Sequence, residues 1–467
     1  MSLLGPKILA ARAVGELARF TGRGGGTSLP GKVLMRLEPG AIRELAARMP
    51  EGCAVISATN GKTTTAAMTA SILRHSGLTL VHNRAGANMA GGVASSLLHA
   101  ARAGGGIDGQ FGLFELDEFW LDQVTPELKP RAILLGNLFR DQLDRYGELE
   151  AIADRWAAVV AALPERAGLV LNADDPLVAD LGRERPGTTF FGVEDASMVM
   201  PQMQHASDSK HCRRCGAAYA YEAIYLGHLG RYRCPSCSQE RPEPSVAAEE
   251  VRLVGTRSAR FRLRTPAGSA PVALPLPGLY NVYNALGAAS LCLALGVGLD
   301  SLVAGLQDVR AAFGRAEIIN IGGTELAILL IKNPAGANEI LRTLVLETGP
   351  LDVLGVLNDR VADGRDVSWI WDADFEILAS RVRRVTCAGT RAAELAVRLK
   401  YAGVDEDSLN VVPVLADALD EALAAAPDNR LYALPTYTAL LELREELTER
   451  GHVSSFWAAS PDLVRGS

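Results

Sequence analysis

The sequence predicts an α/β protein: a central P-loop ATPase domain carrying a small four-cysteine insertion, followed by a Rossmann-like α/β C-terminal domain. Three observations predict this. From about residue 52, short apolar runs alternate with alanine-rich helical patterns, the signature of a doubly wound parallel sheet. A Gly-Lys-Thr loop follows the first of those runs. Two Cys-x₂-Cys pairs interrupt the alternation further on.

Residues 1–50 read as an N-terminal helical segment. Its apolar positions, Leu4, Ile8, Leu9, Val14, Leu17 and Phe20 among them, are interrupted by Lys7, Arg12, Glu16 and Arg19. That leaves neither a secretory core nor a membrane span. The stretch reads as an amphipathic helix that packs on its own protein rather than lying on a membrane surface. No other stretch reaches the roughly 18 uncharged apolar residues that a spanning helix needs, so the expected location is cytoplasmic.

Residues 51–317 form the expected central domain, with buried strands at 53–57, 78–82, 111–115, 132–135 and 168–172. An insertion at 205–242 breaks the pattern; beyond it come short strands within 251–274 and a turn leading into a small-residue helix within 278–297. Residues 318–467 form the expected C-terminal domain, with strands at 326–331, 351–357, 384–388, 411–414 and 431–434. A chain of 467 residues accommodates about three domains. With 48% hydrophobic and 22% charged residues, wholesale disorder is excluded. A net charge of −7 argues against non-specific binding to a polyanion such as nucleic acid.

The phosphate loop is Thr59-Asn60-Gly61-Lys62-Thr63-Thr64, between an apolar strand and a helical stretch. In that context backbone N–H groups and the helix N-terminus face phosphate oxygens. Lys62 would neutralise the outer phosphates of ATP, and the Thr63 hydroxyl would ligate Mg²⁺. The general spacing asks for glycine at position 56, where this chain has Ile56. Glu115 ends a buried strand; a carboxylate placed there beside a phosphate loop calls for a cation partner.

Cys212-x₂-Cys215, eighteen residues, then Cys234-x₂-Cys237 is the spacing of a zinc ribbon. Four thiolates close the coordination sphere, so the expected role of Zn²⁺ is structural. His205 and His211 lie nearby as bystanders, and the lone Cys53, Cys292 and Cys387 read as core residues. A redox pair of Cys-x₂-Cys motifs, or a nucleic-acid ribbon beside Arg213, Arg214, Arg231 and Arg233, are the alternatives.

The Thr-Asn-Gly-Lys-Thr-Thr string resembles the phosphate loop of the Mur ligase family, which includes folylpolyglutamate synthase. Further strings match in the family's order: Glu115; Asn137 with Arg140-Asp141-Gln142-Leu143-Asp144; Asn172-Ala173-Asp174-Asp175-Pro176; Asn281-x₂-Asn284; and Gly314-Arg315-Ala316-Glu317. The resemblance implies a Mur ligase-like central domain in which Glu115 and Thr63 bind Mg²⁺. Asn281 and Asn284 would contact adenine, and Arg315 would lie at the end of the ATPase domain as a nucleotide-binding residue. Gln142 stands where amino-acid-adding members have histidine, and Trp156 falls about where they have a carbamylated lysine. About fifty residues precede the loop, too few for the usual UDP-binding domain.

Two later strings, Lys332-Asn333-Pro334-Ala335-Gly336 and Asp363-Gly364-Arg365-Asp366-Val367-Ser368-Trp369-Ile370, together with the cysteine insertion, resemble the MurT family of lipid II isoglutaminyl synthase subunits. That likeness implies ATP-dependent amidation of a D-glutamate α-carboxylate in the lipid II stem peptide, at the inner face of the plasma membrane. Ammonia would come from a GatD-type glutaminase in a heterodimer. Asp366 would complete that partner's Cys-His pair, with Asp363 as the nearest rival. The competing expectations are an amino-acid-adding ligase and a zinc-ribbon nucleic-acid module on a degenerate core.

Overall fold

The computed structural model describes residues 4–20, 28–83, 86–102, 106–141, 149–204, 207–310 and 315–454, except the side chains of 18–20 and 315. Gln142, Leu143, Asp144, His205 and Gly314 lie outside the described residues, as does the Arg315 side chain.

In chain order the strands are β1 (Cys53–Ser57), β2 (Leu80–His82), β3 (Phe111–Glu115), β4 (Ala132–Leu135), β5 (Gly168–Asn172), β6 (Thr189–Val193), β7 (Ala220–Leu226), β8 (Leu229–Arg233) and β9 (Val246–Val254). They continue with β10 (Ser258–Thr265), β11 (Gly268–Leu274), β12 (Arg315–Ile321), β13 (Thr324–Leu329), β14 (Leu351–Val356), β15 (Val382–Ala388), β16 (Leu409–Val411) and β17 (Arg430–Pro435). A nine-stranded sheet runs β11-β10-β9-β6-β5-β4-β1-β3-β2, parallel from β9 to β2 and antiparallel across β9, β10 and β11. The second sheet runs β12-β13-β17-β14-β15-β16, with only the edge pair β12 and β13 antiparallel.

The central strands read as unbroken apolar runs because both faces are covered. Along β1, Ala54 and Ile56 join a core with the helices Lys62–His75 and Leu279–Ala294. Cys53 and Val55 point to the other core, filled by the N-terminal helices and the helices Ala90–Ala100, Leu121–Leu128 and Leu149–Ala162. The N-terminal helix, Leu4–Phe20, buries Leu4, Ile8 and Ala11 in that layer.

Several expected strands fall where the structure places them, and the differences have local causes. β16 ends at Val411 rather than reaching 414, since Pro413 has no N–H to extend the ladder. β13 is shifted two residues earlier, because Asn333 leaves the strand to cap the helix Pro334–Leu344 through Gly336 N–H. β6 was not anticipated, although Thr189-Phe190-Phe191-Gly192-Val193 has β-forming composition. No described helix is long and apolar enough to cross a membrane.

Candidate functional site

Open α/β sheets bind ligands beyond the carboxyl ends of their strands. Here the neighbouring strands β4, β1 and β3 deliver Asn137, the phosphate loop and Glu115 to one such edge. Gly61 takes φ +84 at the turn, and a Cβ there would lie 2.0 Å from Asn284 Oδ1. Only glycine meets both demands. No side chain caps the helix Lys62–His75, so its first N–H groups are left for an anion.

Every arm of the loop is braced. Asn60 N–H donates to Asn137 Oδ1 at 2.9 Å, and Asn137 Nδ2 returns a bond to Asn60 O at 2.9 Å. The Thr59 hydroxyl oxygen accepts from Phe139 N–H at 3.1 Å. Thr63 Oγ1 donates to Glu115 Oε1 at 2.9 Å. Glu115 itself is 1% exposed, its backbone clamped by both amide atoms of Asn83. A hydroxyl and a carboxylate oxygen this close suit a hard cation such as Mg²⁺.

Lys62 Nζ donates to Ala58 O at 2.9 Å and to Glu118 Oε2 at 3.0 Å. Burial draws the Lys62 pKa down, but the charges of Glu118, Asp117 and Glu115 more than offset it, and the group is held above the usual lysine range. Burial pushes the Glu118 carboxyl up, yet Lys62 and Lys332 hold it below the usual glutamate range. Sequence reasoning singled out Glu115 and missed Glu118, although the Glu-x₂-Glu spacing was there to read.

The second sheet reaches into the same site. Lys332, just after β13, donates to Asp141 Oδ2 at 2.6 Å and to the phosphate-loop carbonyl Thr59 O at 3.3 Å. Asn333 Nδ2 donates to Asn60 Oδ1 at 3.0 Å and to Asp141 Oδ1 at 3.3 Å. Residues 273 positions apart thus meet across the two sheets.

Asn281 and Asn284 lie in the first two turns of the helix Leu279–Ala294, behind the loop. Asn284 Nδ2 donates to Asn281 Oδ1 at 3.0 Å, and Thr65 Oγ1 donates to Asn284 Oδ1 at 3.2 Å. Asp174 and Asp175 are both fully buried. Asp175 caps the helix Pro176–Asp180 and accepts from Leu138 N–H at 2.9 Å, while Asp174 accepts from Tyr283 Oη at 2.6 Å. This pair fixes the loops around the phosphate site. Trp156 is fully buried, its indole N–H donating to Glu118 O at 3.3 Å.

The four insert cysteines converge. Cys212 and Cys237 sulfurs are 3.6 Å apart, Cys215 and Cys234 sulfurs 3.4 Å, and all four lie within 4.8 Å of one another. Tetrahedral zinc at Zn–S distances near 2.3 Å sets sulfurs about 3.8 Å apart, so the donor set fits. His211 is exposed and outside this cluster. The insertion is held on both sides: Asp208, ahead of β7, accepts from Arg140 N–H at 2.9 Å, and Arg342, on the helix Pro334–Leu344, donates to Tyr225 O of β7 at 3.1 Å.

The two acids after β14 are in different environments. Asp363 is 6% exposed and accepts from Thr438 N–H at 2.7 Å; burial pushes its carboxyl up. Asp366 is exposed and accepts from Ser368 N–H at 2.8 Å; bonds from the Ser368 hydroxyl and N–H hold its pKa below the usual aspartate range. The lone cysteines are poor nucleophiles. Burial pushes Cys53 and Cys387 up to about 12, and it raises Cys292 as well.

The fold and this phosphate site define a Mur-type ligase. The Mur ligase middle domain family matches residues 56–234, and the MurT ligase C-terminal family matches residues 330–440. The chain is similar to the lipid II isoglutaminyl synthase (glutamine-hydrolyzing) subunit MurT of Streptococcus pneumoniae, 31% identical over 95% of this chain and 96% of that protein. Its fold is shared by a pseudomurein peptide ligase type C from Methanothermus fervidus, with TM-score 0.66, 24% identity and coverage of 87% and 80% of the two chains. MurF from Acinetobacter baumannii also shares it, with TM-score 0.65, 20% identity and coverage of 90% and 80%. The chain belongs to the MurT family within the Mur ligases, and is an enzyme of that class.

Proposed function

We propose that this chain amidates the α-carboxylate of D-glutamate in the lipid II stem peptide, using ATP and ammonia released from glutamine by a GatD-type glutaminase partner. The observation that carries the reading is the 31% identity, along 95% of the chain, to a protein named as a lipid II isoglutaminyl synthase subunit.

In this reading, Thr59, Asn60, Gly61, Lys62, Thr63 and Thr64 cradle the phosphates of ATP, with Asn281, Asn284 and Arg315 on the nucleotide side. Thr63 and Glu115 would hold Mg²⁺, which when bound supplies charge neutralisation at the phosphates. A carboxylate oxygen of the substrate attacks the γ-phosphorus, ADP leaves, and an acyl phosphate forms. Lys62 offsets the charge that moves with the phosphoryl group. Ammonia then attacks the carbonyl carbon, inorganic phosphate leaves with the bonding pair, and the nitrogen loses a proton to give the primary amide. Trp156 is buried about where the resemblance puts a lysine in amino-acid-adding members, a departure in keeping with ammonia as the acceptor. Zinc in the four-cysteine ribbon has a structural place only.

Asp366 is the carboxylate assigned to the partner's Cys-His pair. It is exposed, whereas Asp363 is consumed by Thr438 and Arg360. Five residues further along the chain, Trp371 packs with Tyr401, rings 5.9 Å apart and 51% and 74% exposed, an aromatic pair suited to a subunit interface. The test supplies ¹⁵N-ammonium, a mixture of free amino acids, ATP and lipid II to the chain and its Lys62→Ala variant. Label in the product amide, lost in the variant, is expected; an amino acid in the product instead would overturn the reading.

A further inference from the structure

The N-terminal helix Leu4–Phe20 has two apolar faces, and the core uses one. Leu4, Ile8, Ala11 and Gly15 are buried. At 3.6 residues per turn, Pro6, Leu9, Ala10, Ala13 and Leu17 form a stripe on the opposite side. All five are exposed, Leu9 at 55% and Leu17 at 64%. A helix that packs only on its own protein would carry polar residues there.

The neighbouring helix Leu29–Leu37 packs against this one and has an exposed face of its own. Pro30 lies against Gly15, where an added Cβ would be 2.6 Å from Pro30 Cγ. Leu29 and Leu37 are 39% and 44% exposed, and Lys32 and Arg36 are exposed between them. Charge is segregated to match: residues 1–50 hold eight Lys or Arg against three Glu, a net +5 in a chain of −7, with Arg43 paired to Glu127 on the body. Lys7 bonds Glu38 at 2.7 Å, and the Arg12 guanidinium donates to Leu98 O at 2.7 Å, so both are committed to fixing the helix on the body.

We infer that this N-terminal helical face docks on an anionic membrane surface, with the leucines entering the acyl boundary and the basic residues meeting lipid phosphates. Such a helix lies in the interfacial plane and binds by apolar burial together with electrostatic attraction. In a two-fold dimer this face would meet its own positively charged copy, whereas an anionic bilayer offers it opposite charge. The inference rests on the proposed lipid-linked substrate for its purpose, but not for its geometry.

The test is co-sedimentation of the full chain, with its glutaminase partner, on phosphatidylglycerol and on phosphatidylcholine vesicles that contain no lipid II. Partition onto phosphatidylglycerol is expected, at least tenfold weaker on phosphatidylcholine. The Leu9→Ser/Leu17→Ser variant should lose at least tenfold, with its circular dichroism and ¹⁵N-ammonia incorporation into a lipid-free substrate unchanged. A Lys32→Glu/Arg36→Glu variant should lose binding to phosphatidylglycerol alone. No vesicle binding, or binding indifferent to both variants, overturns the inference. So does a dimer that the leucine variant converts to monomer, which would mean a second copy covers the face. Vesicle binding by a chain that fails to amidate would sink the proposed substrate and leave the docking surface standing.

Discussion

Asn333 donates its side-chain amide to Asn60 Oδ1 at 3.0 Å while its own Oδ1 accepts Gly336 N–H at 2.8 Å. One residue therefore caps the helix Pro334–Leu344 and grips the phosphate loop. Replacing Asn333 by Ala removes both. The expected result is about 1 kcal/mol of lost stability from the cap, seen in chemical denaturation, and a raised KM for ATP.

The Lys62–Glu118 pair is buried, with side chains 10% and 8% exposed. Glu118→Gln leaves the lysine charge partly uncompensated, which costs on the order of 3 kcal/mol. Glu118 has a folded pKa below its unfolded value. Its contribution is therefore present above the unfolded glutamate pKa of about 4.3 and lost as pH falls through the lower folded value. Urea denaturation across that range should show a shallower acid limb for Glu118→Gln than for the parent.

Asp366→Asn and Asp363→Asn separate the two acids. The first should abolish glutamine-dependent amidation, by about 10⁴-fold if the orienting role of a triad aspartate applies, and spare ammonia-dependent amidation. The second removes an acceptor from Thr438 and should lower thermal stability. Tyr401→Glu should weaken co-purification of the glutaminase, without affecting ammonia-dependent turnover.

Metal analysis should find one zinc per chain, lost in Cys234→Ser. Because Asp208 and Tyr225 tie the ribbon to Arg140 and Arg342, hydrogen exchange should rise across residues 207–242 and at Arg140. The helix Lys62–His75 should stay protected.

Gly61→Ala meets both a left-handed φ and the Asn284 side chain at 2.0 Å. Loss of nucleotide binding is expected by calorimetry, with about 1–3 kcal/mol of strain in the folded state.

What the sequence made legible was local. β1, β3, β4 and β5 stood out because buried parallel strands are apolar without interruption, and the cysteines because metal-binding spacing is short-range. The contacts of Lys332 and Asn333 with Thr59, Asn60 and Asp141 were not legible, since strand order alone brings residues 273 apart together. The resemblance, not spacing, made Asp366 and Asp363 rivals. Their different burial was not legible, because it depends on the helix Tyr437–Glu449 supplying Thr438. The N-terminal helix was expected to pack on its own protein, and its inner face does, but composition did not reveal that the outer face is equally apolar.

The most direct test of the central claim is mass spectrometry of lipid II incubated with ATP, Mg²⁺, glutamine and this chain co-purified with its glutaminase. The account predicts an acid-to-amide mass change at the second stem residue that requires ATP, glutamine and the partner together. Unchanged lipid II from a folded complex that still hydrolyses ATP would contradict it.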